Sequence, residues 1–348
     1  MEKRVYKVAN AIFEVRLEEP WSFMEYGPVV SERIRRAAEG GIGLEILPTR
    51  AGDKEPHRTL IQTREEVLPE ALKPGILDMS QYEPFLYEGK DKPDFTITLK
   101  TSHDTLPELG RKLIRIDSQQ PFYTIYDNNG SPRITLDEHP DTGIPCATLC
   151  MNSTFTEGEV YPAAGIRKSS VVFNLSTALM MMFTYSQATK GKLLIHASTV
   201  RHLGKANIFL GQSGTGKSTH SHLWLEHIEG AELLNDDNPV VAVENGVPMV
   251  YGTPWSGKTP CYRNTSAQIR AIVRLEQAPE NSISPNKGLS AFTAFVGSVS
   301  SIRWNRPIMD CINSTAEQIV LACGVYTLRC RPDREAAETC CKAIESSD

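Results

Sequence analysis

The chain has 348 residues, more than one typical domain needs, so two units are expected. Hydrophobic residues make up 40% and charged residues 23%, the balance of a soluble globular protein. A net charge of −5 argues against nucleic acid or an anionic membrane as the main partner.

The first residues, Met1-Glu2-Lys3-Arg4, are charged and lack the apolar run of a signal peptide. Turn signals follow at Glu19-Pro20, Gly40-Gly41, Lys73-Pro74, Asn128-Asn129-Gly130 and His139-Pro140. Between them, Val5–Leu17, Phe95–Leu99, Phe122–Tyr126 and Ala147–Met151 favour strands, and Ser31–Glu39 favours a short helix. Residues 1–168 therefore read as a mostly β (α+β) domain without a chemical signature.

From about Ser169 the pattern changes. Val171–Gln187 predicts a helix, ended by Lys190-Gly191. Its apolar part, Val171–Tyr185, is interrupted by Asn174, Ser176 and Thr177 and is too short to span a bilayer. Strands are expected over Lys192–Thr199 and Ala206–Leu210, joined by a turn at His202–Lys205, and a helix over Lys217–Ile228. Glu232–Leu234 reads as a strand ending in Asn235-Asp236-Asp237, and Glu244-Asn245-Gly246 as a hairpin turn between Val240–Val243 and Met249–Tyr251. A strand over Gln268–Leu275, helices near Leu289–Val299 and Thr315–Ala322, a strand over Val325–Cys330 and a helix over Asp333–Ile344 complete the pattern. This alternation predicts an α/β domain over residues 169–348.

Eight cysteines (Cys146, Cys150, Cys261, Cys311, Cys323, Cys330, Cys340, Cys341) contain no C-x-x-C pair. Zinc is not expected from these spacings; free thiols in a reducing cytoplasm are.

The chemistry concentrates at Gly211-Gln212-Ser213-Gly214-Thr215-Gly216-Lys217-Ser218, which fits the P-loop pattern G-x-x-x-x-G-K-[ST] without a mismatch. Glycines permit the backbone angles and close approach of a phosphate cradle. Loop amides and the positive end of the following helix suit phosphate oxygens. Lys217 supplies a point charge to the β- and γ-phosphates, and the Ser218 hydroxyl suits magnesium. An apolar strand precedes the loop and an apolar helical face (Leu223, Leu225, Ile228) follows it, the context a P-loop requires. ATP and Mg2+ are thus the expected ligands.

Asp236 and Asp237 end the next strand. One of two such carboxylates can hold the metal and the other accept a proton from an attacking hydroxyl; an Asx turn is the structural alternative. The loop Gly252–Arg263 carries Lys258 and Arg263, suited to clamping phosphate or an acidic substrate. Arg329 and Arg331 are weaker candidates for that task. His220 and His222 stand at i, i+2 on a helix, point apart and make a poor ligand pair.

The strand–turn–strand entry to the loop resembles the C-terminal domain of HPr kinase/phosphorylase, related in structure to ATP-dependent phosphoenolpyruvate carboxykinase. Leu194-Ile195-His196-Ala197-Ser198, Gly211–Ser218 and Asn235-Asp236-Asp237 carry the resemblance, which spans roughly residues 170–345. It implies that His196 lies by the phosphates with Lys217, that Asp236 is the base, that Asp237 lies on the metal side with Ser218, and that the chain forms a homo-oligomer. Two departures stand out. Thr219 occupies a position where HPr kinases usually have glutamate, and Tyr251–Lys258 replaces their long glycine-containing signature. The chain looks more like HPr-kinase-related proteins of unassigned substrate. The expected activity is phosphoryl transfer from ATP to a hydroxyl of a protein serine or a small metabolite. The alternatives are a carboxykinase-type reaction on a small acid and a non-catalytic nucleotide-binding regulator.

Overall fold

A computed structural model describes residues 1–25, 75–101, 107–116, 122–137, 145–257 and 259–346. The expected helix at 31–39, the turns at 40–41, 73–74 and 139–140, and Lys258 lie outside them. Contacts divide the chain into two units, with the break after Ser186. Among the described residues, no helix is long and apolar enough to cross a membrane.

The first unit holds strands β1 (Glu2–Val8), β2 (Ala11–Leu17), β3 (Ser22–Phe23), β4 (Ile76–Leu77), β5 (Phe95–Leu99), β6 (Arg111–Ile116), β7 (Phe122–Asn128), β8 (Ser131–Asp137), β9 (Pro145–Met151) and β10 (Glu157–Pro162). Helix α1 spans Lys168–Gln187. Eight strands form a mixed sheet in the order β1-β2-β5-β10-β9-β8-β7-β6. The run Val5–Leu17 is two strands rather than one. Ala9 and Asn10 both take positive φ (48° and 60°), as a two-residue hairpin turn requires. Register then lines up aromatic rings: Tyr6 faces Phe13, and Phe13 stacks on Phe95 at 5.0 Å.

The second unit contains β11 (Lys192–Leu194), β12 (Ala197–His202), β13 (Lys205–Leu210), β14 (Glu232–Asp237), β15 (Val240–Glu244), β16 (Val247–Tyr251), β17 (Ser266–Gln277), β18 (Ser282–Pro285) and β19 (Gly324–Cys330). Its helices are α2 (Lys217–His227), α3 (Leu289–Val296), α4 (Arg306–Ala322) and α5 (Arg334–Glu345). One nine-stranded sheet runs β11-β15-β16-β17-β13-β12-β14, with β19 on β17 and β18 on β19.

Alternation of strands and helices predicts α/β; the sheet is mixed and the class is α+β. Among the described residues of this sheet, only β13–β17 and β17–β19 are parallel. Tight turns force two of the antiparallel pairs, Leu203-Gly204 between β12 and β13 and Asn245-Gly246 between β15 and β16, each with two positive φ values. Two other expectations change. Lys192–Thr199 breaks at His196, because Ile195 bridges Val299 and the His196 amide donates to the Ser298 carbonyl at 2.7 Å. Helix α4 begins well before Thr315, since Asn305 caps it by accepting from the Ile308 amide and a proline sits in its first turn.

Helices α2 and α5 pack together over a buried cluster that includes Val200, Phe209, Trp224, Leu233, Val273, Leu328, Cys340 and Ile344. Each large apolar side chain buried there stabilises the fold by about 1.5–3 kcal/mol. The cluster anchors the strands on either side of the glycine-rich loop.

Candidate functional site

Strand β13 is buried from Ala206 to Leu210 and held between β12 and β17, so the chain leaves a rigid edge at Gly211. The Thr215 amide closes a turn onto the Gln212 carbonyl at 3.1 Å. A side chain at Gly211 would place its Cβ 3.0 Å from Thr215 Cβ, so only glycine fits there without displacement. Gly216 takes φ 106° and is the N-cap of α2, with no side-chain cap. The first amides of α2 thus have no intrahelical acceptor and no capping side chain, the condition that favours an anion. Gln212, Ser213, Gly214 and Thr219 are exposed around this end.

Lys217 points back beneath the loop. Its residue is only 8% exposed. Nζ lies 2.9 Å from His196 Nε2, 3.0 Å from the Gly211 carbonyl and 3.4 Å from that of Gln212. Burial lowers the Lys217 pKa, while the charges of Asp237 and Asp236 oppose the shift. An ammonium only donates, so His196 Nε2 accepts and Nδ1 carries the proton. That proton points at Asp237, whose Oδ1 is 2.9 Å from Nδ1. Lys217, His196 and Asp237 therefore form one chain.

Asp236 takes the other side. It is 3% exposed, and its Oδ1 accepts from the Ser218 hydroxyl at 3.0 Å. Its Oδ2 is buried and makes no hydrogen bond among the described residues. The Ser218 hydroxyl and the two oxygens of the Asp236 carboxylate, one of them unsatisfied, make an all-oxygen donor set of the kind magnesium takes.

Adjacent residues of a regular strand face opposite ways, so both aspartates reach one site only because regular strand geometry ends at Asp237. Register slips opposite Thr199/Val200, leaving Leu234 as an extra residue. Beyond it Asp237 adopts φ 131°, and its second carboxylate oxygen accepts from Asn238 Nδ2 at 2.8 Å. Gly257 donates to the Asp236 carbonyl at 2.6 Å, and a Cβ on Gly257 would lie 3.0 Å from Asp237 Cβ. Asn238 and Gly257 escape the sequence reading because no spacing places them beside the aspartates. Ser198 and Ser221, hydroxyls 2.6 Å apart, likewise tie β12 to α2 unannounced.

The remaining candidates among the described residues do not join this cluster. Arg263 is 3% exposed and donates to the Leu233 carbonyl at 2.7 Å, with Glu232 at 3.4 Å. Those partners belong to the opposite end of β14 from Asp236. Arg201 foremost, and Arg263, hold the Glu232 carboxyl below its usual range. Arg331 pairs with Asp333 and Glu335 on the surface, and Arg329 is exposed. His220 is a core residue, accepting from Trp224 Nε1 at 3.1 Å, whereas His222 is exposed.

No family model matches the sequence, and no curated protein matches it. Among solved structures, the Hpr(Ser) kinase/phosphatase from Coxiella burnetii aligns over 44% of this chain and 95% of its own, at 11% identity and a TM-score of 0.27. A likeness of that degree carries no argument about activity.

Proposed function

We propose that the second unit binds ATP on residues 211–218 and transfers its terminal phosphoryl group to a hydroxyl. The observation that carries this reading is the meeting of two pairs at the mouth of the loop: Ser218 with Asp236 at 3.0 Å, and Lys217 with His196 at 2.9 Å. A glycine turn of purely structural purpose has no use for a buried lysine or an unsatisfied buried carboxylate oxygen.

The geometry favours a division of labour opposite to the one the resemblance implies. Asp236, buried and bound to Ser218, is the carboxylate suited to holding magnesium with that hydroxyl. Bound there, the ion offsets charge on the β- and γ-phosphates. Asp237 is a third exposed at its side chain and is oriented by His196, so it is the one an acceptor can reach. Its carboxylate takes the acceptor's hydroxyl proton as the oxygen attacks the γ-phosphorus. The bond from that phosphorus to the β–γ bridging oxygen breaks, and its electron pair leaves with ADP. Lys217 and the α2 amides stabilise the charge on the transferred group. A carboxykinase-type reaction calls for arginines that read carboxylates, and Arg263 is committed to β14.

The test incubates the purified chain with magnesium and γ-labelled ATP, adding an extract of its own cells as the source of acceptor. Label on one acceptor from wild type, lost in Asp237→Asn and in Lys217→Met, supports the proposal. Equal labelling by all three, or calorimetry showing no heat from ATP with magnesium, overturns it.

A further inference from the structure

A second cluster of ligating atoms lies within the second unit, away from the loop. His202 closes β12, while Cys341 and Glu345 stand one helical turn apart on α5 and share a face. One donor atom from each lies within 4.8 Å of the other two, and His202 Nδ1 is 3.6 Å from Glu345 Oε1. His202 is only 6% exposed, set edge-on to Trp224 with ring centroids 5.9 Å apart. Its Nδ1 is buried and makes no hydrogen bond among the described residues. Leaving such a nitrogen unmet costs about 1–3 kcal/mol, so a partner is expected where it points. Glu345, 42% exposed at its side chain, keeps one approach open to solvent.

We propose that His202, Cys341 and Glu345 bind one zinc-class divalent cation, with water completing the coordination. Imidazole nitrogen, thiolate sulfur and carboxylate oxygen together suit zinc better than magnesium or calcium. Bonds of about 2.0–2.3 Å in a tetrahedron place donors roughly 3.3–3.7 Å apart. The His202–Glu345 separation already matches at 3.6 Å, and the other donor separations lie within 4.8 Å, so they need to close by at most about 1–1.5 Å. Thiolate and carboxylate together balance the charge of the ion. Burial foremost, and then the Glu345 carboxylate, raise the Cys341 thiol to about 11, so the ion must displace its proton on binding. The cysteine spacings give no warning of this site, because its ligands come from positions 202, 341 and 345 and meet only when α5 packs beside β12. The ion would fasten α5 to the strand that pairs with both β13 and β14.

Cobalt(II) reports on it, since a cysteine ligand gives a sulfur-to-metal charge-transfer band in the near ultraviolet. The full-length chain, stripped with a chelator and titrated with cobalt(II), is expected to show that band at one equivalent and to lose it when zinc(II) is added. Asp236→Asn, which alters the loop site, should keep the band. Cys341→Ser should abolish it, and Glu345→Gln, a conservative change at a partly exposed residue, should weaken binding at least about tenfold. No band in the wild type, a band that survives Cys341→Ser, or unchanged affinity in Glu345→Gln overturns the proposal. Should Cys341→Ser fail to fold, the Glu345→Gln affinity alone decides.

Discussion

The Ser218 hydroxyl donates to Asp236 Oδ1 at 3.0 Å, joining the start of α2 to the end of β14 across a separation of 18 residues. On the other flank Asp237 is bound to His196. Two neighbouring carboxylates thus have different partners and different exposure, and their loss should be felt differently. Asp236→Asn is expected to raise the magnesium concentration needed for half-maximal turnover. Asp237→Asn should lower turnover on the order of 100-fold at saturating magnesium, the usual worth of a positioned base. Magnesium titrations of both variants separate them, and an identical response in both would remove the division of labour.

Lys217 donates to three acceptors within the fold and, in the proposed function, supplies the charge that meets phosphate. A hydrogen bond to a charged group contributes about 1.5–3 kcal/mol, so Lys217→Met should weaken ATP binding roughly 10- to 100-fold. Calorimetry at fixed magnesium measures this. Unchanged affinity would show that the ammonium never leaves the loop carbonyls.

Arg263 gives the opposite expectation. It binds the Leu233 carbonyl and the Glu232 carboxylate from a buried position. Arg263→Met removes the charged donor to that carbonyl, leaving it the weaker Cys261 thiol at 3.8 Å, and should cost about 2 kcal/mol of stability in denaturant titrations. ATP affinity of the folded fraction should not change; a selective loss of affinity would return Arg263 to the phosphate site.

His220 supplies a pH dependence. Burial pushes its pKa down to about 4 from an ordinary value of 6.5, and its Nε2 accepts from Trp224. The unfolded chain therefore binds the proton more readily than the folded one. The stabilising contribution is complete above about pH 6.5 and is lost as pH falls toward 4, a change on the order of 3 kcal/mol. Melting curves between pH 7 and 4.5 should show the decline, and His220→Phe should flatten it. An equal slope in both proteins would place the titration elsewhere.

The turn at residues 211–216 and the start of α2 at Lys217 were legible from their letters, because glycines at set intervals along one continuous segment allow its backbone angles. The hairpin turn at Asn245-Gly246 was legible for a similar reason, as few residues adopt two successive positive φ angles. Long-range pairing left weaker traces. The α/β expectation rested on the order of elements, which does not specify whether neighbouring strands run parallel. Arg263 looked like a phosphate clamp because charge and loop composition are visible in sequence, whereas its commitment to Glu232 and Leu233 is not.

Local backbone rules, then, determined where the glycine-rich loop lies and which turns reverse the chain, because each depends on residues adjacent in sequence. Tertiary structure alone decided which side chains face that loop. The positive φ of Asp237 at the end of β14 departs from the alternation that would set it opposite Asp236, and the break before β12 delivers His196 between Lys217 and Asp237. Strand register is set by packing across the whole sheet, so no local pattern encodes it.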